Sequence, residues 1–444
     1  MAQLVQSKDI YHGLPVFPPE TKGLTAIITG ANGISGRYTL RVLAESPERW
    51  SKIYCLSRSP PTEVDFFPSN AEHISVDFTQ DPQELARVLK GRGVEADYIF
   101  WYSYVHLQIK EGDPFWCDSA DLCAINTRIL HNFLGALSIA SVIPKRFLLQ
   151  TGAKNYGLHC GPVKQPCEEW DPRYTKEPNF YYEQEDMLLE FCTRNNVGWN
   201  VTCPAGSSLP KLTLFSLLSD KFPVFAAAPT LAMNPGFALA AYATICGHLK
   251  QPLRFPGGVE AWQSHISHVT GKLNGYFAEW AVLTEEAKNQ KFNIHDNSFF
   301  TCESLWPKLA GWYGIDWTGP EETGLTEVKF GHSPPPRGYG PRALIRYKFT
   351  FEDWAASPEV KQAWTELAEK HDLVCKDLNQ LTQALKFGNT TVQQPGTFTL
   401  SMDKARKLGW HGYVDTYQGL LEVFDEFAKL RMIPKVPKIS VRFL

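Results

Sequence analysis

Thr25-Ala26-Ile27-Ile28-Thr29-Gly30-Ala31-Asn32-Gly33-Ile34-Ser35-Gly36 is the stretch whose reading decides the fold. It reads as a buried strand, a glycine turn and the start of a helix that continues from Arg37 to Leu43. Glycines 30, 33 and 36 stand in G-x-x-G-x-x-G spacing. Glycine is required where the backbone turns with positive φ and where it must lie against a pyrophosphate. The helix N-terminus behind such a turn presents unpaired N–H groups and a partial positive charge to that anion. An apolar strand before the glycines and a helix after them are the context that gives the motif its meaning.

Composition narrows the remaining possibilities. The 444 residues suffice for one large or two ordinary domains. With 44 basic and 47 acidic side chains the formal net charge is -3, and no long charge run suggests a nucleic-acid surface. Ten cysteines without C-x-x-C pairs argue against a disulfide framework or a zinc site. Free thiols suit a reducing, cytoplasmic compartment. Residues Met1 to Asp9 lack an apolar core, so no signal peptide is expected. The apolar region Phe222 to Leu249 is broken by Pro223, Pro229, Asn234 and Pro235, so it reads as core or pocket lining rather than a membrane span. The 27 Phe, 17 Tyr and 13 Trp permit a large apolar pocket without locating one.

Outward from the glycine turn, alternating strands and helices predict a Rossmann-type, doubly wound parallel sheet over residues 22–205. Residues 1–21, extended by Pro15, Pro18 and Pro19, read as a tail on the surface. The second strand, Lys52 to Leu56, ends at Ser57-Arg58-Ser59. An NAD site places a carboxylate there for the ribose hydroxyls. Ser57 with Arg58 beside it suits a 2′-phosphate instead, so NADPH is expected. The third strand, His73 to Phe78, ends in Asp77, which either accepts from adenine or caps the helix starting near Pro82. The fourth, Asp97 to Tyr104, brings Ser103 and Tyr104 to the cofactor side. A helix near Cys117 to Leu137 leads to the fifth, Arg146 to Gln150.

Two segments then carry the chemistry, Gln150-Thr151-Gly152-Ala153-Lys154-Asn155-Tyr156-Gly157 and Asn179-Phe180-Tyr181-Tyr182-Glu183-Gln184-Glu185-Asp186. A reductase needs a donor for the oxyanion that forms as hydride arrives; a tyrosine supported by a lysine meets that need. Short-chain dehydrogenases usually set the two as Tyr-x-x-x-Lys on one helix, yet no tyrosine here has lysine four positions on. The two segments resemble the progesterone 5β-reductase and iridoid synthase family of atypical short-chain dehydrogenases, in its fungal flavour at Tyr156-Gly157-Leu158-His159. Weaker matches are Asn293-Ile294-His295-Asp296-Asn297 and Gly409-Trp410-His411-Gly412-Tyr413, and the similarity runs from about residue 24 to Pro434.

The resemblance implies that Lys154, from the loop after the fifth strand, and Tyr181 are the catalytic pair. It implies reduction of an activated C=C bond in an enone or enal, on a bulky apolar molecule of specialised metabolism. Carbonyl reduction, or a non-redox cyclase, isomerase or nucleotide-sensing role, is the alternative on the same fold. A homodimer is compatible with it. The expected cofactor site is Gly30, Asn32, Gly33, Ile34, Gly36, Ser57, Arg58, Ser59, Asp77, Phe78, Ser103, Tyr104, Gln150, Lys154, Tyr181 and Ser207. Two departures stand out: Asn155 where the family usually has histidine, and Cys203-Pro204 where it usually has Arg-Pro. Segments Lys211 to Pro229 and Phe330 to Arg342 read as longer than the family's equivalents, and Phe330 to Gly340 reads as an irregular loop. Residues 206–434 read as a mostly helical, substrate-capping portion with room to return strands to the sheet, and 435–444 as a tail. Within that portion Ser207 to Gly257 reads as part of the cap, and amphipathic helices are expected near Glu352 to His371 and Tyr417 to Ala428. His265, His268, His295 and His332 are too dispersed for a metal site, and no metal is expected.

Overall fold

The computed structural model describes residues 4–60, 67–105, 120–205, 235–298 and 300–438. Strand β1 (Leu24–Thr29) runs through the middle of a seven-stranded sheet. The others are β2 (Trp50–Ser57), β3 (Ala71–Ser75), β4 (Tyr98–Trp101), β5 (Arg146–Gln150), β6 (Gly198–Pro204) and β7 (Gln290–Ile294). Their order in space is β7-β6-β5-β4-β1-β2-β3, and every neighbouring pair is parallel. The winding direction reverses between β1 and β4, which is where a doubly wound sheet opens a crevice at its carboxyl ends.

Side chains on a strand alternate between the two faces, and β1 shows why both must be apolar. Ala26 and Ile28 enter one core with Phe100 and Leu148; Ile27 enters the other with Ile99 and Phe147. The first core is covered by α1 (Ile34–Ala44), the second by α2 (Pro82–Gly91), α3 (Ala120–Ala140) and α4 (Phe180–Asn195). A helical lobe holds a third core. At its centre lies α5 (Pro235–Leu249), apolar almost all round and buried from Pro235 to Cys246. Further along the chain, α6 (Gly271–Leu283) joins α1 over the first core. The lobe is completed by α7 (Cys302–Tyr313), α8 (Pro358–Lys370), α9 (Thr382–Val392) and α10 (Thr416–Lys429). The lobe is pinned to the sheet domain where Glu426 of α10 receives Arg41 and the Tyr38 hydroxyl of α1. No helix among the described residues is long and apolar enough to cross a membrane.

Several elements differ from the sequence reading. Residues 5–15 are no loose tail. Val5–Lys8 and Tyr11–Pro15 form a hairpin, and the second strand pairs with Tyr413–Val414. Tyr11 and Leu14, which a surface tail would expose, are buried in the first core. The third strand stops at Ser75, so Asp77 lies in the turn beyond it. Asp77 does not cap α2; Asp81 does, accepting from the Glu84 N–H at 2.9 Å. The helix expected from Glu352 to His371 is two helices, Phe351–Ala355 and α8, divided before Pro358, which cannot donate to the preceding turn. The strand returned to the sheet is β7, beside β6. The irregular loop at 331–342 connects a hairpin, Thr326–Phe330 with Ala343–Tyr347. Residues 206–234, with Ser207 and the segment Lys211 to Pro229, lie outside the described residues.

Candidate active site

The crevice is built from the turns after β1, β2, β4 and β5. Gly30 has φ +62°, and a Cβ there would meet the backbone of Tyr102 and Ser103 at 3.1 Å. A Cβ at Gly36 would meet the Gly30 carbonyl oxygen at 2.4 Å. Only glycine allows α1 to press so closely on the turn. Thr29 ties the neighbouring strand ends together, its Oγ1 accepting from the Tyr102 and Ser103 N–H groups at 3.1 and 3.3 Å. Gly33 is the N-cap of α1 and contributes no side chain, while Ile34 opens the helix, buried. The first N–H groups of α1 therefore face the crevice without a side-chain cap.

The turn after β2 is fastened to the glycine turn. Asn32 Nδ2 donates to the carbonyl oxygen of Ser59 at 2.6 Å, and its Oδ1 is buried without a hydrogen-bond partner among the described residues. Ser57 Oγ donates to the Ser59 carbonyl at 2.8 Å. Ser75 Oγ donates to the carbonyl of Arg58, whose side chain is exposed. These bonds hold the backbone of 57–59 and leave the guanidinium in solvent. Asp77 accepts from the Thr79 N–H and hydroxyl. Phe78 is a core residue, its ring 5.1 Å from that of Trp101 and 5.2 Å from that of Phe133. Gln150 is engaged on both sides, donating to Ser35 Oγ and accepting from Asn274 Nδ2, each at 2.8 Å.

Lys154 sits on a single 3₁₀ turn, Ala153–Tyr156, directly after β5. Tyr181 lies in the first turn of α4, buried, with its ring 4.5 Å from that of Phe180. Cys123, Phe180 and Tyr181 form one apolar cluster, with Tyr104 packed against it. Asn179, the N-cap of α4, links the two halves of the pair. Its Oδ1 accepts from the Tyr181 N–H, and its Nδ2 donates to the Lys154 carbonyl, both at 3.1 Å. An asparagine just before a helix is a capping signal legible in sequence; its second bond, to the lysine turn, is not. Tyr182 has a different position. Its hydroxyl donates to the Asn155 carbonyl at 2.6 Å and accepts from the Tyr174 N–H at 2.9 Å. Burial raises its pKa, so it stays a neutral strut.

The two departures from the family pattern are in contact. Asn155 Nδ2 lies 3.5 Å from Cys203 Sγ and donates to Thr151 Oγ1 at 3.1 Å and Glu185 Oε1 at 2.7 Å. Lys291 and Arg173 reach Glu185 at 2.8 and 3.1 Å. Burial pushes the Cys203 thiol pKa up, so the sulfur is a neutral packing atom. This network lies behind the lysine turn and was invisible in sequence, because its contacts join residues up to 106 positions apart.

The architecture is that of the Rossmann-fold enzymes of the short-chain dehydrogenase and epimerase class. The Bordetella bronchiseptica enzyme WbmG, solved in complex with NAD, matches 96% of this chain and 100% of its own with a TM-score of 0.54 at 14% identity. No protein-family model matches the chain. Among sequence relatives, an uncharacterized protein of Schizosaccharomyces pombe is 30% identical over 436 residues, covering 93% of this chain and 99% of the relative. A short chain dehydrogenase of Penicillium aethiopicum is 27% identical, with 93% and 99% covered. An (S)-8-oxocitronellyl enol synthase of Catharanthus roseus is 26% identical, with 92% of each covered, and a 3-oxo-Δ4,5-steroid 5β-reductase of Arabidopsis thaliana is 24% identical. The chain belongs to the progesterone 5β-reductase and iridoid synthase-like family of atypical short-chain dehydrogenases/reductases.

Proposed function

We propose that this chain is an NADPH-dependent reductase of an activated C=C bond in a bulky, apolar enone or enal. The observation that carries the reading is the Asn179 bridge, which joins the Lys154 turn to the start of the Tyr181 helix beside Tyr104 and the glycine turn. The residues around the crevice fit a dinucleotide. Gly30 and Gly36 leave no room for a Cβ, α1 begins without a side-chain cap, and Asn32 Oδ1 is buried without a partner among the described residues. Gly30, Gly33 and the first N–H groups of α1 would hold the pyrophosphate. Arg58 and Ser59 would hold the 2′-phosphate, and Lys154 the nicotinamide ribose.

NADPH, when bound, supplies the hydride that reduces the β-carbon. Tyr181 donates a hydrogen bond to the substrate's carbonyl oxygen, where negative charge gathers, and Lys154 supports that site with its positive charge. The α-carbon takes its proton from solvent. The relatives named enol synthase and steroid 5β-reductase support this choice over carbonyl reduction. The test is turnover of a model enone with product analysis. A saturated ketone formed with one equivalent of NADPH oxidised is expected. An allylic alcohol would show carbonyl reduction, and product without NADPH oxidation would show a non-redox enzyme.

A further inference from the structure

The geometry points to a binding site for a thiophilic divalent cation of the zinc class, formed by His159, Cys160 and Glu177 at the rim of the catalytic turn. One ligand atom from each of the three lies within 4.8 Å of the others. A tetrahedral zinc spaces sulfur, nitrogen and oxygen ligands by about 3.3–3.8 Å, so contraction of about 1 Å closes the set. The His159 side chain is only 5% exposed, and neither ring nitrogen has a hydrogen-bond partner among the described residues. A buried imidazole with both nitrogens unsatisfied calls for a ligand. Glu177 Oε2 stands 3.8 Å from His159 Nε2, too far for a hydrogen bond and near enough to share a cation.

The surroundings are arranged as an outer shell. His332 Nε2 hydrogen-bonds the other oxygen of Glu177, Oε1, which orients the carboxylate as second partners orient metal ligands. The loop bearing His332 is seated on the ligands' own backbone: its N–H donates to the Cys160 carbonyl at 2.7 Å. At Gly331, φ +89°, a Cβ would meet that same carbonyl oxygen at 2.6 Å. Thus the segment Phe330 to Arg342, an insertion in the sequence reading, brings one of the dispersed histidines to the set. Imidazole, thiolate and carboxylate together favour zinc over magnesium or calcium. His159 follows Lys154 by five residues and Glu177 precedes Tyr181 by four, so a bound cation would fasten the two arms of the catalytic pair.

The test uses the full chain, stripped with a chelator, and Zn²⁺ titrated in competition with a chromophoric chelator. One equivalent is expected, and Co²⁺ in its place should give a thiolate-to-cobalt charge-transfer band. Cys160→Ser should abolish that band and weaken Zn²⁺ binding at least tenfold. Glu177→Gln should weaken binding at least tenfold while keeping the band, and Cys375→Ser should change neither. If Cys160→Ser does not fold, Glu177→Gln decides, since that carboxylate is part-exposed in a loop. The inference is overturned if one equivalent is not bound, or if either folded variant binds Zn²⁺ as the parent does.

Discussion

The neighbouring tyrosines at 181 and 182 make the sharpest test at the scale of single residues. Tyr181→Phe removes the proposed oxyanion donor and should slow turnover about 10²–10³-fold with NADPH affinity retained. Lys154→Ala should weaken NADPH binding as well as slow the reaction. Tyr182→Phe leaves the Asn155 carbonyl and Tyr174 N–H without their hydroxyl partner, which costs about 1–3 kcal/mol of stability. Its melting temperature should fall while kcat changes far less. Steady-state kinetics and thermal unfolding on the three variants check this; a larger kcat loss at Tyr182 than at Tyr181 would reverse the assignment. Arg58→Ala should weaken NADPH by roughly 1.5–3 kcal/mol and NADH hardly at all, read by titrating both. Lys154, Tyr181 and Arg58 could be singled out as candidates because each stands at a fixed place in a motif. Asn179's bridging bond and the contact between Asn155 and Cys203 were not, because nothing local in the chain pairs residues so far apart.

Secondary-structure elements were legible where one periodicity prevailed. The strand at Leu24–Thr29, the helix behind it and the helix at Thr416–Lys429 match their sequence patterns closely. Boundaries failed where a local bond overrode the apolar run: at Asp77 the side chain makes a tight turn with Thr79, so the strand ends two residues earlier. The packing of α1 on the glycine turn gives the prediction at this scale. Gly36→Ala places a methyl group 2.4 Å from the Gly30 carbonyl oxygen, and the obstruction is backbone that cannot swing aside. The helix must move off the turn. NADPH binding should fall at least about tenfold if that turn is the pyrophosphate site proposed above. Isothermal titration checks it; unaltered affinity would show that α1 does not hold the phosphates.

At the scale of the whole molecule, one buried carboxyl joins distant parts. Asp296 Oδ1 accepts from the Thr270 N–H before α6, and Oδ2 from the Thr416 hydroxyl at the start of α10. Burial raises its pKa from 3.8 to about 7. The folded chain therefore holds a proton that the unfolded chain releases between about pH 4 and 7, and this group's stabilisation is lost as pH rises through 7. Asp296→Asn should lose less stability than the parent between pH 5 and 8, measured by denaturant unfolding at both. An equal loss in both proteins would exclude Asp296 as the source. Nothing in the sequence around Asn293 to Asn297 announces such a junction, and nothing near Tyr11 announces its strand partner. The pairing of Tyr11–Pro15 with Tyr413–Val414 sets an order on biosynthesis. The ribosome releases the first of these strands about 400 residues before the second, which at 5–20 residues per second is a wait of roughly 20–80 s. Throughout that interval the Tyr11–Pro15 edge of the hairpin lacks its partner strand, leaving the kind of surface that chaperones hold and that aggregation exploits. Closing the fold is an act of the finished chain.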